Sequence, residues 1–332
     1  MLEREVMFNI FLIFFVFAEL SFYLLIAQTG IVEVFHSKIA LIALLPVGGV
    51  IGTYLSANLK MQEHYKALLL LSLQISIVYF YPHLNPFMLF LLGIAVGGMS
   101  PIIILTIKKA TKLDLMLSLG SAYMFGTFFF TSNPFHRETL GIILSVTALL
   151  SYIFIEEIKT TNRSFVKEFY SYPLYLMVAW VFLDSSLFET LSRDVNIPIW
   201  RGGFGYEIMF FHALGVLAAL SIRLEYYQKI FLITVMFTLS YLFYFIKEPL
   251  YLSIVYPFVI SYYNIVILQS LIKVKNLKRI GIYMIFIGWI ASGSGLMVAL
   301  NGYILYVPLL FTVLFVESIQ KQINLKKELS HA

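Results

Sequence analysis

FVFAELSFY, residues 15–23, and WVFLDSSLF, residues 180–188, are near copies, and each carries one carboxylate at the same place. Val16/Val181, Phe17/Phe182 and Ser21/Ser186 are identical, and Glu19 falls opposite Asp184. The acids stand 165 residues apart in a chain of 332. An ionisable side chain deep in an apolar helix is expensive, roughly 2.5–3.5 kcal/mol for Asp at a helix centre on insertion scales. Meeting that cost twice, at half-length spacing, points to a membrane protein built from a duplicated unit.

Working outward, 60% of the residues are hydrophobic and only 12% are charged. Soluble domains carry about 25% charged residues. No polar stretch exceeds roughly fifteen residues, which leaves no room for a separate soluble domain. Twelve apolar runs of membrane-crossing character can be read between charge, Pro and Gly punctuation. They are 7–28, 39–58, 67–82, 86–107, 114–132, 138–156, 172–191, 205–222, 230–246, 250–271, 280–300 and 303–319. Pro101 and Pro257 fall inside two of them, which membrane helices tolerate when neighbours satisfy the freed carbonyl. The expected fold class is an all-α polytopic membrane protein. The first run is too long for a signal-peptide core, and no convincing small-residue cleavage site follows it.

Lysine and arginine sort by loop. With twelve crossings, the side holding both termini carries 18 of them and the other side carries five: Lys38, Arg137, Arg193, Arg201 and Lys247. The positive-inside rule then makes both termini cytoplasmic, in the inner (cytoplasmic) membrane. The net charge of +5 is topological and calls for no nucleic acid. The absence of cysteine excludes disulfides and thiolate metal sites.

Further matches keep the same order and nearly the same offset. Gly49-Val50-Ile51 pairs with Gly215-Val216-Leu217, and Phe154-Ile155-Glu156 with Phe315-Val316-Glu317. Six crossings per copy make the repeats parallel. This organisation resembles the major facilitator superfamily: two six-helix bundles, 1–158 and 172–319, a cytoplasmic connection over 159–171, and a tail over 320–332. The family signature between its second and third helices, roughly G-x-x-x-D-R-x-G-R-K, corresponds to Gly52–Lys60. Gly52 and Lys60 fit, while Ser56, Ala57 and Leu59 replace the acid, the arginine and the second glycine. The resemblance implies that the first, fourth, seventh and tenth helices line a central cavity, with Glu19 and Asp184 facing it.

Desolvation disfavours the charged form of a carboxylate in such a setting, so Glu19 and Asp184 suit proton coupling or cation binding. The alternative is a carboxylate locked between helices by hydroxyls such as those of Ser21 or Ser186. Tyr23 lies one turn from Glu19, and Trp180 and Phe188 flank Asp184 at the same spacing. Glu189 is closer to the outer surface and is a gate candidate; Arg193 and Asp194 beyond it are expected to pair. His212 can relay protons or simply pack through hydrogen bonds. With Met209 it gives a weak M-x-x-H metal pattern. Tyr263, Asn264 and Gln269 offer phenol and amide contacts to a substrate or to a neighbouring helix. The clusters Gly48/Gly49/Gly52, Gly93/Gly97 and Ser292–Gly295 read as close helix packing.

No lysine or arginine is deep in any run, which disfavours an anionic substrate. The expectation is a monomeric secondary active transporter, using alternating access and proton coupling, for a cationic or neutral small molecule. A transition-metal ion transporter and a non-transporting membrane assembly factor are the other two readings. No P-loop and no catalytic constellation is traceable, so neither an enzyme nor a cofactor is expected.

Overall fold

The computed structural model describes residues 2–35, 39–131, 136–157 and 170–311, and every regular element among them is a helix. α1 (Leu2–Phe22) continues through a π-helical stretch, Tyr23–Gly30, into α2 (Ile31–Val34). Next come α3 (Ile39–Ile42), α4 (Leu44–Asn58), α5 (Glu63–Val78), α6 (Pro86–Ile107), α7 (Lys112–Thr131) and α8 (Arg137–Glu157). α9 (Leu174–Leu191), α10 (Gly205–Ser221), α11 (Tyr226–Phe245) and α12 (Pro249–Lys273) follow. α13 (Leu277–Met284) runs through a second π stretch, Ile285–Ala291, into α14 (Ser292–Leu300), and a 3-10 turn spans Tyr303–Tyr306.

Each apolar run from 7–28 to 280–300 coincides with a helix or a chain of helices. Residues 312–319 of the last run lie outside the described residues, as do 159–169 of the connection, the tail 320–332 and Phe315–Glu317. Eight helices among the described residues are long and apolar enough to cross a membrane, as in a multi-pass membrane protein. α5 and α10, at 16 and 17 residues, are shorter.

Polar residues start these helices where the apolar sequence begins. Asn85 accepts from Met88 N at 2.9 Å ahead of Pro86, which has no N–H to lose. Thr111 and Asp114 cap each other's backbone N–H before α7, and Glu225 with Gln228 does the same before α11. Satisfying these N–H donors matters because hydrocarbon offers them no acceptor.

The described residues divide into two compact units. One takes the described part of 1–174 together with Ile267–Ile290; the other takes Tyr175–Val266 together with the described part of 291–332. Residues 267–290 therefore pack with the first unit, although the sequence repeat counts them in the second copy. Three bonds hold them there. Lys108 Nζ donates to Val274 O at 2.6 Å, Tyr172 N donates to Ser270 Oγ at 3.0 Å, and Trp289 Nε1 donates to Thr53 Oγ1 at 3.1 Å.

Within the first unit, α4 and α6 cross backbone to backbone. A Cβ on Gly97 would run into the main chain of Gly49, and one on Gly49 would run into the Trp289 indole. Pro101 lacks the N–H that would bond Gly97 O, four residues earlier. Thr53 Oγ1 at 2.9 Å and Ser100 Oγ at 2.8 Å take over that carbonyl. The proline in mid-helix is thus compensated by an adjacent helix. In the second unit α10 approaches α12 as closely, with Gly215 against the Phe258 carbonyl. α14 lies against α9 through Gly295, and Ser185 Oγ donates to Ser292 O at 2.7 Å.

Candidate functional site

Glu19 is 3% exposed in α1. Its Oε1 accepts from Gln74 Nε2 of α5 at 3.0 Å, and the same nitrogen lies 3.1 Å from Ser145 Oγ of α8. Gln74 and Ser145 are fully buried, and Gln74 Oε1 has no hydrogen-bond partner among the described residues. Among those residues a neutral amide, and no cation, holds the carboxylate. Tyr23, read as one regular turn beyond Glu19, opens the π-helical stretch, so the i,i+4 register is not kept beyond it.

Asp184 sits on α9 in the second unit and is partly exposed. Tyr263 Oη donates to Oδ2 at 2.6 Å, and Tyr256 Oη donates to Oδ1 at 2.8 Å and to the main-chain oxygen at 3.0 Å. Both phenols come from α12 and are buried, two helical turns apart on one face. Tyr241 of α11 donates to Leu183 O at 2.7 Å, next to the acid. Trp200 stands edge-on to Phe188 and to Tyr256, at 5.0 and 6.2 Å between ring centres, and Phe237 lies 5.4 Å from Tyr263. Trp180 is fully buried.

Hydroxyls from another helix hold Asp184, as in the alternative drawn from sequence, but they are the phenols of Tyr256 and Tyr263 and not the serines named for that role. Ser186 Oγ turns back to Phe182 O at 2.7 Å, and Ser21 Oγ is buried without a partner among the described residues. A serine on the same helix bonds its own preceding turn in preference to a neighbouring side chain.

Arg193 does not pair with Asp194. It lies 2.9 Å from Glu189 Oε2, one turn back on the same face, and also donates to Glu189 O. Asp194 instead accepts from Tyr244 Oη at 3.2 Å and from Asn196 N at 2.9 Å. Glu189 is thereby a neutralised, buried acid.

His212 Nδ1 is 2.7 Å from Ser261 Oγ, joining α10 to α12 near Gly215. Met209 lies one turn away on α10, and no group of three or more His, Cys, Asp or Glu that could hold a metal ion occurs among the described residues. Asn264 Nδ2 donates to Ile260 O of its own helix at 3.0 Å, and Gln269 is buried.

Three cations that read as loop residues are buried at helix ends. Arg137 is fully buried, 2.9 Å from Glu33 and 5.4 Å from the centre of the Phe130 ring. Lys66 donates to Ser56 O at 2.7 Å, covering the last turn of α4. Lys229 is buried near the start of α11. None of them bonds Glu19 or Asp184.

In comparison with known proteins, no protein-family model matches the sequence and no curated protein is significantly similar to it.

Proposed function

We propose that the chain is a secondary active transporter of the inner (cytoplasmic) membrane, of major-facilitator type, with twelve crossings in two parallel repeats and both termini cytoplasmic. It works by alternating access, couples to protons, and moves a cationic or neutral small molecule. One observation carries the reading: among the described residues, each unit holds an acid well inside a long apolar helix whose bonded partners are neutral. Gln74 serves Glu19, and Tyr256 and Tyr263 serve Asp184. An acid so placed is costly unless a proton or a cation visits it.

The pairing of helices supports a repeat. Close glycine approaches join α4 to α6 and α10 to α12, the equivalent pairs when the sequence copies are superposed. Side-chain bonds likewise join α1 to α5 through Glu19 and Gln74, and α9 to α11 through Leu183 and Tyr241.

The test is proton-driven uptake in proteoliposomes, screened over organic cations and neutral solutes at two pH values. Loss of the pH-dependent component is expected in Glu19→Gln and in Asp184→Asn. Unchanged pH-dependent transport in both variants would remove these acids from the mechanism.

A further inference from the structure

The two carboxylates differ in what can reach them. Glu19, Gln74 and Ser145 are sealed among α1, α5 and α8, so nothing larger than a proton enters without parting those helices. Gln74 is built to receive that proton. Its Nε2 is engaged with Glu19 Oε1 and Ser145 Oγ, while its Oε1 is buried without a donor among the described residues. An ionised carboxylate has no hydrogen to offer that oxygen, whereas a protonated one has. A carboxylic acid and a primary amide can pair through two bonds, N–H to oxygen and O–H to oxygen. Protonation of Glu19 supplies the donor that Gln74 lacks. The helices around α1 carry charges at their ends: Lys112 and Asp114 on α7, Arg137, Glu138, Glu156 and Glu157 on α8, Glu63 and Lys66 on α5. Their mid-helix titratable groups are Tyr123 and Tyr152; near the start of α5, His64 stacks on Tyr152, which also contacts Phe15 of α1.

Asp184 is less enclosed than Glu19. Its two phenol donors are buried, and the residue itself is half-buried. Two hydroxyl donors stabilise the ionised form without cancelling its charge. The other acid of α9, Glu189, is already neutralised by Arg193. Tyr256 and Tyr263 reach the charge through their hydroxyls, and Trp200 packs edge-on against Tyr256 and against Phe188 of the acid's own helix. Aromatic faces attract organic cations, and a carboxylate among them selects an alkylammonium over a neutral solute.

From these differences we infer that Asp184 holds an organic ammonium group of the solute while Glu19 takes only the coupling proton. This rests on the transporter reading and divides its two acids. Tetramethylammonium is the probe, titrated calorimetrically into the purified full chain, with sodium as control. Saturable binding is expected for the unmodified protein and for Glu19→Gln. Asp184→Asn weakens it by more than about tenfold, and Trp200→Ala, which keeps the carboxylate, weakens it as well. An infrared pH titration shows a protonated-carboxyl band that disappears in Glu19→Gln and persists in Asp184→Asn.

Absence of saturable binding to the unmodified protein overturns the assignment. So does undiminished binding in Asp184→Asn, or loss of binding in a thermally stable Glu19→Gln. Tetramethylammonium that binds through Asp184 but drives no flux of any solute upholds the site and removes the transporter reading. Flux that needs both acids, with no ammonium binding, does the reverse.

Discussion

Tyr263 Oη lies 2.6 Å from Asp184 Oδ2, a phenol donating to a carboxylate 79 residues earlier in the chain. With Tyr256 on the other oxygen, it lets an acid sit in an apolar helix without a cation beside it.

Tyr263→Phe should therefore cost about 1.5–3 kcal/mol, the range for a hydrogen bond to a charged group. Asp184→Asn and Tyr263→Phe should couple, with the double variant departing from additivity by more than about 0.5 kcal/mol. Reversible unfolding in mixed micelles measures both; additive single effects would show that the contact contributes nothing to stability.

Gln74→Leu removes the amide from Glu19 and keeps approximate volume. The protonated-carboxyl stretch of Glu19 should move to higher frequency, because the acid loses its hydrogen-bonded amide. If the band in Gln74→Leu coincides with that of the unmodified protein, Gln74 does not contact the protonated acid.

Gly97→Ala places a methyl group against the main chain of Gly49, where no rotamer change relieves the clash. A loss of about 1–3 kcal/mol or more is expected. Thr53→Val removes a donor to Gly97 O and the acceptor for Trp289 Nε1, for about 1–3 kcal/mol. Trp289→Phe, which spares the Thr53–Gly97 bond, should cost less than Thr53→Val. The reverse order in thermal denaturation would mean that Thr53 is not the hub of this contact.

Glu33→Gln and Arg137→Met act on one ion pair but should not be equal. Arg137 is fully buried, whereas the Glu33 side chain is 32% exposed. Removing the glutamate charge strands a buried cation, and losing one partner of a buried pair costs about 3–5 kcal/mol. Removing the arginine leaves a carboxylate that water still reaches, so Arg137→Met should be the milder change. Equal melting temperatures for the two variants would contradict this burial asymmetry.

One contact was within reach of the sequence and was missed. Arg193 was expected to pair with Asp194, its chain neighbour, but the turn that follows α9 carries Arg193 back over the last turn of the helix. Glu189, four residues back, is the helical neighbour. Applied there, the spacing rule that placed Trp180 and Phe188 about Asp184 would have found the pair. The buried cations are a different case. Lys66 and Arg137 sit at helix ends, and only the neighbouring helices decide whether an end is wet or covered.

The sequence by itself determined the helices, their approximate ends, the membrane setting and the two costly acids. Those properties depend on local hydrophobicity, charge and turn chemistry, which residues close in the chain supply. The tertiary structure alone decided what each acid meets. Gln74 reaches Glu19 across 55 residues, and Tyr256 and Tyr263 reach Asp184 across 72 and 79. Equivalent positions in the copies thus acquire different partners, an amide for one and two phenols for the other. The helix faces that bring these groups together are set by packing, through crossings such as Gly49 on Gly97 and Gly215 on Phe258. Two matched segments can share an acid and a span; only the packing of neighbouring helices decides which side chains meet each acid.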